Sequence, residues 1–164
     1  MNSYLGLMAK KHGRSGIVID TNILLLYIIG KYNPERIEKF KRTCSYSKEE
    51  FFILKNFLSY FREKFTTPNI LTEVSNFTGQ IEDPMKSEVR NVFKEEISIT
   101  NEKYIESVTA SEDASFNSYG LADSSIFNLA KTGYLVLTDD FKLYNALIKR
   151  GVDAINFNHL RAPV

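Results

Sequence analysis

Cysteine is nearly missing from this chain: Cys44 stands alone, so no internal disulfide can form. Histidine is scarce as well, and His12, His159 and Cys44 together fall short of a Cys/His zinc site. A reduced, cytoplasmic setting is expected on this cysteine usage. No long apolar run exists, since the longest, Ile23 to Ile29, is far below the roughly 20 residues of a membrane span, and the segment MNSYLGLMAKKHGRSG lacks the apolar stretch of a secretory signal. Neither sign of charge dominates: 21 Lys and Arg against 20 Asp and Glu leave +1. No whole-molecule field would therefore draw the chain onto nucleic acid, and any such binding must use local patches. Repeats, low-complexity stretches and Pro/Gly/Ser-rich linkers are also absent, which argues for one domain over residues 1–164.

What the chain does hold is apolar material, at 43% of its 164 residues with 12 Phe and 9 Tyr, enough for a sizeable core. Its arrangement alternates between strand and helix. Ile17-Val18-Ile19 is apolar at every position, as suits a parallel strand covered on both faces, and it ends at Asp20. An apolar helix over Ile23 to Ile29 follows, with Gly30 as its stop. Pro34 starts a short charged helix, and Ser47 with Glu50 forms a capping box for a longer one through FFILKNFLSYF. A short strand at Phe65-Thr66-Thr67 precedes Pro68, after which Asn69 can cap a helix with Ile70, Leu71, Val74 and Phe77 inward and Glu73 bordering that arc.

Two further helices are expected, one from Pro84 to Glu96, the other from Asn101 with Tyr104, Ile105 and Val108 inward. Gly120 leads into LADSSIFNLAK, and Tyr134 to Leu137 gives a second all-apolar strand running into Thr138-Asp139-Asp140. Phe141 to Arg150 reads as an amphipathic helix closed by Gly151, and Val152 to Phe157 as an edge strand. The pattern predicts an α/β fold of three layers, α/β/α, with a mostly parallel central sheet, an N-terminal extension at 1–15 and a helical insertion at 32–65. Ligands of such sheets bind beyond the carboxyl ends of the strands, where Asp20 and the Asp139-Asp140 pair fall.

Asp123 is the most informative residue. On a helix it points between Ile126, Phe127 and Ala130, the middle of the apolar face. An unpartnered buried carboxylate costs several kcal/mol, so the group must be protonated, paired with a base or bound to a metal. No Lys or Arg lies within one helical turn. Convergence of Asp20, Glu73, Asp123 and Asp140 on one crevice would need a neutralising ion, because two like charges about 4 Å apart repel by about 4 kcal/mol at an effective dielectric near 20. Carboxylate oxygens without imidazole or thiolate select Mg²⁺ or Mn²⁺. Singly, each acid has a bland reading: Asp20 and Asp140 fit helix caps, and Glu73 fits the edge of an amphipathic helix. Those readings do not require acids at the ends of both core strands.

With Ile17-Val18-Ile19-Asp20-Thr21-Asn22, Pro68 and Glu73 in PNILTEV, Gly120-Leu121-Ala122-Asp123 and Leu137-Thr138-Asp139-Asp140, the chain resembles PIN-domain ribonucleases over about Gly16 to His159. The resemblance matches Asp20, Glu73 and Asp123 to the family's first three acids and Asp140 to the Asp of its Thr-x-Asp. Asp139 is then the variable middle residue and the fallback ligand, while Asn22 and Thr138 match polar positions that orient the acids. It implies a Mg²⁺- or Mn²⁺-dependent endonuclease acting on RNA, with Asp20, Asp123 and Asp140 as direct ligands and Glu73 acting through water or as a base. It further implies a possible role as the toxin of a toxin–antitoxin pair, with an antitoxin partner and a homodimer among the expectations. An RNA-processing nuclease without a toxin role would carry the same acids; a non-catalytic nucleic-acid- or protein-binding module is the other alternative, and the intact set of acids argues against it. A haloacid-dehalogenase-like phosphatase would need Asp-x-Asp after the first strand, and here the residues are Asp20-Thr21-Asn22. The 32–65 segment departs from compact family members. Its Lys39, Lys41, Arg42, Lys48, Lys55, Arg62 and Lys64 either contact a single strand or form a solvated outer face.

Overall fold

The computed structural model describes residues 3–161. It is an α/β structure in which every strand pairing is parallel and the strand order is β3-β2-β1-β4-β5. The strands are β1 (Ile17–Ile19), β2 (Lys64–Thr66), β3 (Asn101–Glu102), β4 (Leu135–Thr138) and β5 (Ala154–Asn156). Every residue of β1 and β4 is buried, which requires cover on both sheet faces and is consistent with three layers. The helices are α1 (Ser3–His12), α2 (Thr21–Tyr32), α3 (Lys48–Leu58), α4 (Pro68–Thr78), α5 (Met85–Ile99), α6 (Ser107–Ser111), α7 (Phe116–Ala130), α8 (Phe141–Lys149) and α9 (Asn158–Arg161), with a 3-10 turn at Pro34–Lys39. Among the described residues, no helix is long and apolar enough to cross a membrane.

The chain moves outward from β1 through β2 to β3 and then returns to lay β4 on the other side of β1. That reversal opens a crevice between the carboxyl ends of β1 and β4. Ile19 pairs with Leu137, so the next residues, Asp20 and Thr138, leave the sheet side by side, and the Asp20 N–H still donates to the Leu137 carbonyl at 3.0 Å.

Several local expectations need correction. Gly30 does not stop α2 but sits buried inside it, because a Cβ there would lie 2.2 Å from the Phe51 ring. The glycine is needed for the close crossing of α3, not for a turn. Thr67, not Asn69, caps α4 with Pro68 in its first turn. Asn101 begins a two-residue edge strand instead of a helix, and Tyr104 and Val108 are exposed at 75% and 62%. The pairing of Phe65 with Asn101 is a long-range backbone contact that side-chain periodicity does not report. The capping box of Ser47 and Glu50 is formed as expected, although α3 ends at Leu58. The N-terminal stretch forms α1, whose Leu5, Met8 and Ala9 join the core and whose Lys11 and His12 engage Asp153, 2.5 and 2.7 Å away, just before β5.

Candidate active site

Asp20 is the most tightly held acid. It is 7% exposed and caps α2, its Oδ1 accepting from the Thr21 N–H at 2.6 Å and its Oδ2 from the Thr138 hydroxyl at 2.6 Å. The next residue extends the network, since the Thr21 hydroxyl donates to Glu73 Oε2 at 2.7 Å and ties α2 to α4. Asp140 caps α8, accepting from the Lys142 and Leu143 N–H groups at 2.6 and 3.1 Å through Oδ1. Its own N–H donates to the Thr138 hydroxyl at 3.0 Å, so Thr138 sits between the two strand-end acids. The cap readings of Asp20 and Asp140 are therefore correct, and each cap leaves carboxylate lone pairs facing the crevice.

Asp123 is delivered by a break in α7. Gly120 has φ 77° and ψ −171°, a conformation essentially confined to glycine, and the helix restarts at Leu121 with Asp123 in its first turn. Asp20, Glu73, Asp123 and Asp140 then line one cleft of about 280 Å³, together with Phe77 and Tyr119. Among the described residues that line it, none is Lys, Arg or His. Burial first, then the charges of Asp20, Asp140 and Glu73, push the Asp123 carboxyl up to about 7. Burial likewise pushes Asp20 up to about 6, against the Thr138 hydrogen bond and with the charges of Asp139 and Glu73 adding to the rise.

Two acids elsewhere in the chain are compensated by bases. Glu96, 2% exposed, pairs with Lys31 and stands 3.9 Å from Lys64. Asp113 takes Arg150 at 2.8 Å and Lys131 at 3.4 Å; burial opposes its ionisation, yet the Ser115 hydrogen bonds and Arg150 hold its carboxyl well below the usual range. Of the cleft acids, Asp20 is buried, Glu73 and Asp123 are half-buried and Asp140 is exposed, and no cation stands among the described residues that line the cleft. An all-oxygen, multiply anionic donor set of this kind suits a hard divalent ion. As the side chains stand, no three His, Cys, Asp or Glu of the described residues are drawn together closely enough to hold one. Neutral donors engage Asp20, Glu73 and Asp140.

Asp139 does not line the cleft. Its Oδ1 accepts from Asn22 Nδ2 at 3.2 Å, and its Oδ2 accepts from the hydroxyl of Tyr46. Asn22 thus orients Asp139, while Thr138 orients Asp20 and Asp140. Tyr46 is the residue that sequence reasoning missed. It lies in the 32–65 insertion, 4% exposed, under the Arg161 guanidinium and edge-on to Phe157. Burial and the neighbouring Asp139 charge raise its phenol far above the ordinary range, so it stays a hydrogen-bond donor. An aromatic inside a Phe- and Tyr-rich segment gives no local sign of such a role. Compared with models of known protein families and with curated proteins, the chain matches none.

Proposed function

We propose that the chain is a divalent-metal-dependent ribonuclease of PIN-like type, hydrolysing RNA phosphodiester bonds at the cleft between the ends of β1 and β4. The observation that carries this reading is the contrast between Glu96 and Asp113, each compensated by lysine or arginine, and the cleft, where buried Asp20 and half-buried Glu73 and Asp123 have no such partner among the described residues. A bound Mg²⁺ or Mn²⁺ would supply charge neutralisation and an activated water at neutral pH. The chain's own part is positional. Asp20 is fixed by Thr138 and the start of α2, Asp140 by the start of α8, and Asp123 by the restart of α7, and all three line one cleft. Glu73 accepts from Thr21 through Oε2, no donor among the described residues reaches Oε1, and that oxygen would take a proton from the attacking water. In the overall reaction water adds to phosphorus, the P–O3′ bond breaks, and a 3′-hydroxyl and a 5′-phosphate result.

The test is incubation of the purified protein with end-labelled single-stranded RNA and DNA, with Mn²⁺, with Mg²⁺ and with chelator. Ion-dependent cleavage of RNA, lost in the Asp20→Asn/Asp123→Asn double variant while its circular dichroism is unchanged, is the expected result. Cleavage persisting in that variant refutes the assignment. Calorimetric Mn²⁺ binding without hydrolysis of any strand would assign the chain to the non-catalytic binding modules instead. The toxin role rests on the PIN resemblance and has its own readout: growth arrest on expression, relieved by the same double substitution.

A further inference from the structure

Of the basic residues of the 32–65 insertion, three are directed at acids of the chain, while Lys41 and Lys55, like Arg36 and Lys39, form no ion pair among the described residues. Lys48 pairs with Glu35, Arg62 stands 3.7 Å from Glu63, and Lys64 stands 3.9 Å from Glu96, so these charges are directed at acids of the chain. Arg36 and Lys39 form no side-chain hydrogen bond or ion pair among the described residues. Both line a groove of about 470 Å³, with Tyr32 and Phe40 half-buried beside them. Of the described residues lining the groove Glu82 is the one acid, and Glu88 accepts from the hydroxyl of Tyr32 at 2.7 Å; Arg36, Lys39 and the adjoining Arg42 outnumber the two.

The groove is joined to the acidic cleft by a single helical turn. Phe77 lines the cleft, Gln80 lines the groove, and the Gln80 N–H donates to the Phe77 carbonyl at 3.1 Å. Arg42 spans the junction: its guanidinium lies 4.2 Å from the Phe77 ring centroid, and its Nε donates to Gln80 Oε1 at 3.4 Å. Among the described residues it has no carboxylate partner, so its charge remains available to a ligand. A cation at the carboxyl end of α4 would also be favoured by the helix dipole, but that accounts for Arg42 alone and not for Arg36 and Lys39.

We propose that this groove binds the single-stranded polynucleotide flanking the scissile bond, with Arg42, Arg36 and Lys39 meeting successive phosphates and Phe40 and Tyr32 offering ring faces to bases. The proposal rests on the nuclease reading and deepens it. An acidic cleft alone repels a phosphate backbone, and cations one turn away supply the attraction that brings a strand across it. Half-buried aromatic rings beside unpaired cations suit single strands, whose bases are free to stack.

The test is fluorescence anisotropy of a labelled 12-nucleotide RNA in chelator, so that binding is read without hydrolysis. The Arg36→Ala/Lys39→Ala/Arg42→Ala variant should bind about tenfold or more weakly at low salt, and its log K against log salt slope should be shallower by about 2, at about 0.7 per lost phosphate contact. Arg42→Lys keeps the charge and should keep the slope while losing part of the affinity. Circular dichroism of each variant checks folding. An unchanged slope in the folded triple variant overturns the proposal, as does displacement of the RNA by polyglutamate as effectively as by unlabelled RNA, which would assign the groove to an acidic peptide. A protein that binds the strand in this way but cleaves nothing with any ion overturns the nuclease reading and leaves the groove. Cleavage with affinity insensitive to the triple substitution does the reverse.

Discussion

At Asp123, function and stability pull in opposite directions. Its carboxyl is pushed up to about 7, so between about pH 4 and pH 7 the folded chain keeps a proton that the unfolded chain has released. Folded stability from this group is therefore full below pH 4 and declines as pH rises to 7, and Asp20, pushed up to about 6, acts in the same direction. In chelator the thermal midpoint of the wild type should fall from pH 5 to pH 8. Asp123→Asn removes the charge at nearly constant shape. The variant should be inactive, and at pH 8 more stable than wild type by about 1 to 4 kcal/mol, since each tenfold change in proton affinity is worth about 1.4 kcal/mol. Equal midpoints at pH 8 would mean that Asp123 bears no electrostatic cost. Tyr46 is the reverse case, since its hydroxyl donates to Asp139 from a buried position. Tyr46→Phe should cost about 1.5 to 3 kcal/mol in urea unfolding, the usual worth of a hydrogen bond to a charged group. It should lower kcat more than it raises KM, because Asp139 stands beside the acids and not in the groove.

Among elements, α7 carries the largest local consequence. A Cβ added at Gly120 would meet nothing within 4 Å, so Gly120→Ala is strained only by its backbone, φ 77° with ψ −171°. A stability loss of about 1 to 3 kcal/mol in urea unfolding is expected. Cleavage should fall further than that loss explains, because the residue sets where the helix carrying Asp123 restarts; activity retained at the wild-type level would separate the break from the site. The same helix shows what sequence could and could not convey. Asp123, half-buried in the structure, was legible because helical periodicity set an acid on the same face as Ile126, Phe127 and Ala130, and β1 and β4 were legible because both of their faces are apolar. By contrast β3 is two exposed residues paired through backbone, α1 packs through a few apolar side chains in a basic stretch, and Gly30 looked like a helix stop because its partner, Phe51, lies across a contact between helices. Tyr46 was hidden for a related reason: its meaning depends on Asp139, which is distant in the chain.

For the whole molecule, the sheet order places several separately anchored acids in one cleft, and no cation among the described residues lining it offsets them. Folding therefore brings these charges closer than the unfolded chain does, and whatever binds the folded cleft but not the unfolded chain is stabilising. A divalent ion at 100 times its Kd should add about 2.7 kcal/mol. For a chain of 164 residues that lifts the thermal midpoint by roughly 8 °C, at about 3 °C per kcal/mol. The increment should be larger at pH 8 than at pH 5, because an ion competes with the protons that Asp20 and Asp123 hold at the lower pH. Scanning calorimetry with and without Mn²⁺ at the two pH values reads both effects. Asp20→Asn/Asp123→Asn should melt at nearly the same temperature with and without the ion. An Mn²⁺ shift of equal size in that variant would place the ion elsewhere on the molecule, and with it the chemistry assigned to the cleft.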